Sequence, residues 1–285
     1  MDSLKPDPEL DAVLVDKSPD GITTITLNRP RKRNAVNGAT AKKLTQAFLA
    51  FESDPDQKVC VFHGANGTFC AGYDLQEFAE SSTYDGPKTE DSITYHGPVD
   101  GRNIGPMGPS RMQIRKPVIS AVSGYAVAGG LELSLLGDMR VVEEDAVFGV
   151  FCRRWGVPLI DGGTVRLQAV VGLGRALDMI LTGRPVGARE ALSFGLANRV
   201  VPKGRALEEA QGIARQLLAF PQGCMNLDRN SCYNAAYDAA SFERALASEY
   251  DQGVQVLESE SKGGALRFAG GHGRHGEFGP GKAKL

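Results

Sequence analysis

The chain has 285 residues, 42% of them hydrophobic and 23% charged, and its 32 basic and 34 acidic residues give a formal net charge of -2. That balance excludes disordered and fibrous classes, and no global field would hold the chain on nucleic acid or an anionic membrane. The cysteines (Cys60, Cys70, Cys152, Cys224, Cys232) are odd in number, widely spaced and without a Cys-x-x-Cys pair, which points to reduced thiols rather than a disulfide framework or zinc site. The opening Met1-Asp2-Ser3-Leu4-Lys5-Pro6 lacks a secretory or organelle-leader pattern. The uncharged run Pro117 to Leu131 is too short and too rich in Ser and Gly to span a bilayer, so the expectation is a cytosolic protein with no membrane partner.

Ala12 to Asp16 and Gly21 to Leu27 read as an opening hairpin returned by Asp20-Gly21. Ala41, Leu44, Phe48 and Phe51 then fall on one helical face. Lys58 to His63 predicts a short apolar strand closed by Gly64, and Asp74-Leu75-Gln76-Glu77 a helix start with a capping box. Ser81 to Ser110 has no periodicity and is rich in Gly, Pro, Ser and Thr, the composition of a long mobile connection or lid. Alternation resumes with a strand over Pro117 to Val122, a Gly-rich turn over Ser123 to Gly130, a helix over Leu131 to Leu136 and a strand over Arg140 to Val142. Beyond Gly162 helices are expected over 165–171, 175–181, 188–194, 207–220 and 241–258, interrupted by a strand at Asn198 to Val201. The last 24 residues, from Lys262, hold eight glycines and predict an end that is flexible or orders only against a ligand or second subunit. Repeated strand-helix units imply an α/β core over 1–200, followed by a helical region over 201–285.

No GxGxxG after a strand, GxxxxGK[ST], HExxH or GxSxG occurs, which removes the usual signatures of dinucleotide sites, phosphate loops, zinc proteases and serine hydrolases. His272 and His275 stand three apart in the Gly-rich tail and make a weak metal pair, so no metal site is expected. Two glycine-centred bends remain, Phe69-Cys70-Ala71-Gly72-Tyr73-Asp74 and Ser123-Gly124-Tyr125-Ala126-Val127-Ala128-Gly129-Gly130-Leu131-Glu132, each following a strand and leading into a helix. Glycine permits unusual dihedrals and close approach of a ligand, and N–H groups at a helix start favour developing negative charge. Two such bends can converge on one oxygen as an oxyanion hole, or each can simply permit a tight strand-helix junction.

Both bends and their flanks resemble the crotonase (enoyl-CoA hydratase/isomerase) superfamily. The resemblance starts at Ile25-Thr26-Leu27-Asn28-Arg29-Pro30 with Asn34-Ala35-Val36 and includes both bends and Gly137-Asp138-Met139-Arg140. It continues to Leu181-Thr182-Gly183-Arg184 with Ala188 to Val201, covering roughly residues 12 to 260. It implies a β-β-α spiral with a helical carboxy-terminal region that drives assembly into trimers, often paired as hexamers. The implied ligand is an acyl thioester of coenzyme A, which enters as substrate, with no separate cofactor. The N–H groups of Tyr73 and Gly129 are the implied oxyanion hole, leaving the Tyr73 side chain to shape the acyl pocket. Arg33, Ala71 and Asp74 are the implied contacts to coenzyme A or substrate, although an exposed Arg33 is also consistent with simple solvation.

Hydratases of that superfamily use two glutamates to position a water and move its proton, a task worth roughly 10²–10⁴-fold. Glu132 matches the first, on the first turn of the helix that begins at the second bend; a helix dipole alone would also favour a Glu there. Cys152, within Phe148-Gly149-Val150-Phe151-Cys152-Arg153-Arg154, stands where the second acid is expected, and a thiol is not a carboxylate's equivalent; packing is its plain role. Asp161, in Leu159-Ile160-Asp161-Gly162-Gly163-Thr164, either caps the next helix or substitutes for the missing acid as base, acid or nucleophile, with Arg153 and Arg154 placed to hold it ionised. The leading expectation is an enoyl-CoA hydratase using Glu132 with help from Asp161. Thioester hydrolysis, C–C bond cleavage or decarboxylation in the same hole is the alternative, and a non-catalytic acyl-CoA binder a third reading. The net charge and the lack of an aromatic-basic stripe speak against an RNA partner.

Overall fold

The computed structural model describes residues 11–80, 99, 104–271 and 273. The opening hairpin forms as expected: β1 (Val13–Lys17) and β2 (Ile22–Leu27) pair antiparallel, with Val15 opposite Ile25. The apolar stripe of α1 (Gly38–Ser53) buries Ala41, Leu44, Phe48 and Phe51, and Asn37 caps its start by accepting from the Thr40 N–H at 2.9 Å. β3 (Val59–Gly64) runs parallel to β2. The rings of Phe48, Phe62 and Phe69 meet edge-on at 5.3 and 5.2 Å, which fixes α1, β3 and the first bend as one packed block.

α2 (Leu75–Glu80) starts where Asp74 was expected to cap it, and Asp74 Oδ1 accepts from the Gln76 N–H at 3.2 Å. The reciprocal half of the capping box does not form, because Glu77 instead accepts from the Gly38 N–H at 3.3 Å. Most of the 81–110 stretch lies outside the described residues. Its last part is the opposite of a mobile connection: Met107 and Ser110 are fully buried, and a 3-10 turn spans Pro109–Arg111.

From here each turn of chain gives one strand to a large sheet, one to a small sheet, and then a helix. β4 (Val118–Val122) joins the large sheet, β5 (Tyr125–Val127) the small one, and α3 (Gly129–Ser134) follows. β6 (Met139–Glu143) and β7 (Val147–Gly149) repeat the step, followed by a 3-10 stretch at Phe151–Trp155 and α4 (Gly163–Val171). α5 (Leu173–Thr182), β8 (Val186–Gly187), α6 (Ala188–Phe194), β9 (Arg199–Val201) and α7 (Ala206–Leu218) complete the series. The large sheet has the order β1-β2-β3-β4-β6-β9 and the small one β5-β7-β8. This is the β-β-α spiral that the resemblance implies. Every residue of β4 is buried, as a central parallel strand covered on both faces requires.

The chain divides into two compact units, Met1–Leu217 and Leu218–Leu285. The second unit consists of α8 (Gln222–Tyr237), α9 (Phe242–Val256), a π-helical turn at Leu257–Ser261 and α10 (Lys262–Ala269). Glu260 caps α8 by accepting from the N–H groups of Gly223 at 2.9 Å and Cys224 at 2.7 Å. α10 overturns part of the reading of the Gly-rich end, since Gly263 and Gly264 sit inside a helix; His272 and His275 lie outside the described residues. No helix among the described residues is long and apolar enough to cross a membrane.

Candidate active site

The first bend is held by backbone pairing on both sides. Cys70 donates to the Tyr125 carbonyl at 2.8 Å, and Val127 donates to the Cys70 carbonyl at 3.1 Å. On its other side, Val36 donates to the Gly72 carbonyl at 2.8 Å and accepts from the Asp74 N–H at 2.8 Å. Parallel pairing of this kind turns the N–H of Tyr73 to the edge away from Val36. Gly72, at φ +101°, makes the turn, and an ideal Cβ placed on it would lie 3.2 Å from the Gly129 nitrogen and 3.0 Å from the Ala128 Cβ. The two bends are therefore packed on one another.

In the second bend, Ala128 takes φ +53°, a conformation in which a non-glycine residue is strained by about 1–3 kcal/mol. Its N–H donates to the Gly149 carbonyl at 2.8 Å, which ties the strained residue to β7 and turns the chain into α3. Gly129 is the first residue of α3, so its N–H has no intrahelical acceptor. The Met107 side chain lies directly against Gly129, where a Cβ would meet its Sδ at 2.6 Å.

Glu132 projects from the first turn of α3 and is only 2% exposed. Its Oε1 accepts from the Gly163 N–H at 2.8 Å and the Asp161 N–H at 3.0 Å, so the carboxyl of one helix seats on the amino terminus of the next. Gly163 is required for this approach: a Cβ there would stand 2.8 Å from Oε1 and 2.7 Å from Cγ. Burial, and then the neighbouring Asp161 charge, push the Glu132 carboxyl up to about 8, against the opposing pull of the two N–H donors and Arg166.

Asp161 is 4% exposed and does not cap α4, whose N-cap is Gly162 in the left-handed region. Asp161 Oδ1 instead accepts from the Met107 N–H at 2.9 Å and from the Ser110 hydroxyl. Arg153 and Arg154 do not serve it. Arg153 donates to the Ile180 carbonyl at 3.1 Å and Arg154 lies over the Phe151 ring. Among the described residues a cation at this place is Arg166, which donates to the Ser110 carbonyl and, at 2.6 Å, to that of Met112. Cys152 is buried nearby, its thiol pushed up by burial and by the charge of Glu132.

Arg33 and Ala71 are adjacent through the backbone, Ala71 donating to the Arg33 carbonyl at 3.1 Å, and the Arg33 side chain is exposed. The Asp74 carboxylate is buried against Arg29 at 3.3 Å, with Lys32 at 3.7 Å. Sequence reasoning missed Met107, Ser110 and Arg166. Their signal is faint, because Ser110 meets Asp161 across 51 residues and no local period marks the segment.

A family model described as enoyl-CoA hydratase/isomerase matches residues 17–270. Enoyl-CoA hydratase EchA19 of Mycobacterium tuberculosis is 36% identical over 202 residues, covering 68% of this chain and 70% of that protein. The carnitinyl-CoA dehydratase of Escherichia coli K12 is 35% identical over 202 residues, covering 69% and 71%. Among solved structures, an enoyl-CoA hydratase from Mycobacterium tuberculosis H37Rv has a TM-score of 0.80 at 31% identity, covering 91% of this chain and 96% of that one.

Proposed function

The chain belongs to the enoyl-CoA hydratase/isomerase family, whose members process acyl-CoA thioesters, and from that premise we propose that it adds water across the double bond of a 2-enoyl-CoA. The observation that carries this reading is the joint placement of two buried carboxyls, Glu132 and Asp161, beside the paired bends of Tyr73 and Gly129. The thioester oxygen takes the N–H groups of Tyr73 and Gly129. Water oxygen bonds to C3, the C2=C3 π pair moves toward the carbonyl, and the resulting enolate oxygen is stabilised by those two donors. Losing one such donor costs about 3 kcal/mol in comparable sites. C2 then receives a proton, and Glu132 and Asp161 conduct both proton transfers, Asp161 replacing the acid that Cys152 does not supply.

The same reading gives Arg33 and Ala71 to the coenzyme A moiety at the mouth of the first bend, while Asp74 orders that bend through Arg29. No metal or separate cofactor takes part. The exposed apolar residues Leu173, Leu177 and Leu181 on α5, and Phe242, Leu246 and Tyr250 on α9, support a homotrimer or a pair of trimers. The free cysteines support a reducing, cytosolic setting.

The test is mass analysis of products from crotonyl-CoA, malonyl-type CoA esters and aryl-CoA esters. Addition of water to crotonyl-CoA without release of free coenzyme A supports the proposal. Release of coenzyme A or CO₂, with no hydrated product, overturns it in favour of hydrolysis or C–C bond cleavage.

A further inference from the structure

One wall beside the acid pair comes from the segment just before β4. Gly105 and Gly108 bond to each other through both backbones, at 2.9 and 2.8 Å, and the 3-10 turn Pro109–Arg111 follows. This tight loop aims two donors, the Met107 N–H and the Ser110 hydroxyl, at a single oxygen, Asp161 Oδ1. Its backbone is fastened from outside: Arg166 donates to the Ser110 and Met112 carbonyls, and Arg111 donates to the Ile160 carbonyl at 2.9 Å. A Cβ on Gly105 would collide with both Asp161 Oδ1 and Ser110 Oγ, so a side chain there would force the pair apart.

We infer that Ser110 is a positioning residue for the proposed water addition: with the Met107 N–H it holds Asp161 as the carboxylate that takes the proton from water, leaving Glu132 as the carboxyl that carries one. This rests on the reading of the site as a hydratase centre. An ionised carboxylate only accepts hydrogen bonds, and each carboxyl accepts two donors on one oxygen. At Glu132 both are backbone N–H groups outweighed by its burial and by the Asp161 charge, whereas Asp161 has the Ser110 hydroxyl, a side-chain donor that favours its ionised form. Among the described residues, the other charged or titratable groups around the pair are Tyr73 from the first bend, Cys152 from the 3-10 stretch, Arg166 from α4 and Arg111 from the turn. Tyr73 is pushed up to about 12 and Cys152 also upward, so at neutral pH both hold their own protons. The protons that move are therefore those carried by Glu132 and by the water. In the forward direction Asp161 removes a proton from water as its oxygen bonds to C3, and Glu132 gives its proton to C2. A proton passed from Asp161 to Glu132 resets the pair.

The experiment pairs Ser110→Ala and Ser110→Thr with the unmodified chain, each checked for folding by thermal melting. In crotonyl-CoA hydration, Ser110→Ala should move the acidic limb of the kcat profile up by about one pH unit, the scale of one lost hydrogen bond to a charged group. On the acidic side of the unmodified chain's limb kcat should fall about tenfold, KM should stay within about twofold, and Ser110→Thr should restore kcat and the position of the limb. In parallel, carboxyl ¹³C NMR with Asp161→Asn as the assignment control should show the Asp161 titration displaced upward in Ser110→Ala. A folded Ser110→Ala whose Asp161 titration and acidic limb both stay in place overturns the inference, even if it melts earlier. If the unmodified chain hydrates no enoyl-CoA while the Asp161 titration still shifts, the hold of Ser110 on Asp161 stands and the hydratase reading fails.

Discussion

Replacing Gly163 by Ala tests whether the seating of Glu132 on α4 matters for turnover. The new Cβ would stand 2.7 Å from Glu132 Cγ, 2.8 Å from Oε1 and 3.0 Å from Cδ. To regain an ordinary contact of 3.4 Å the carboxyl must retreat by roughly 0.7 Å, in surroundings packed too tightly to absorb the shift elsewhere. A catalytic group misplaced by about 1 Å loses about 10²-fold. Overpacking of this kind lowers stability by about 1–3 kcal/mol. The expected result is a folded protein with kcat reduced about 30- to 100-fold and KM nearly unchanged. The assay is the initial rate of crotonyl-CoA hydration, followed by loss of ultraviolet absorption of the conjugated thioester, with thermal melting alongside. A folded Gly163→Ala with the full kcat would refute the argument, because it would show that Glu132 need not sit where α4 holds it.

Glu132→Gln keeps the shape and removes the transferable proton, so kcat should drop about 10²–10⁴-fold while acyl-CoA affinity by calorimetry stays within about threefold. Stability should fall as pH rises from 4.5, the ordinary value of a glutamate, to about 8, because over that window folded Glu132 keeps a proton that the unfolded chain has released. Thermal melting of the unmodified chain between pH 5 and 9 reads this, and Glu132→Gln should flatten the slope. Cys152→Ala should keep kcat within about threefold, since a buried thiol pushed upward is a packing group rather than a nucleophile; abolished turnover in a folded variant would contradict that.

The helical face of α1 and the alternation from β4 to β6 are legible in the sequence because short-range periodicity dictates them, as Phe48, Phe51 and the wholly buried Val118–Val122 show. β5, β7 and β8 are too short to announce themselves, and α8 escaped because only Ser231 of its 16 residues is buried, which leaves no apolar stripe to read. At the candidate site, Glu132 and Asp161 were found by their place in a family pattern. The donors around them were not, since Met107 and Ser110 lie in an irregular segment and reach Asp161 over 54 and 51 residues. Arg153 and Arg154 looked like partners of Asp161 by proximity in sequence, yet the 3-10 stretch turns them to Ile180 and Phe151, while Arg166, one turn into α4, faces the pair.

The proposed chemistry is tested most directly by a crystal structure of the chain with acetoacetyl-CoA bound. The thioester oxygen should lie about 3 Å from the nitrogens of both Tyr73 and Gly129, with the Glu132 and Asp161 carboxyls facing C2 and C3. A thioester lodged elsewhere, or one whose reacting carbons face neither carboxyl, would contradict the assignment.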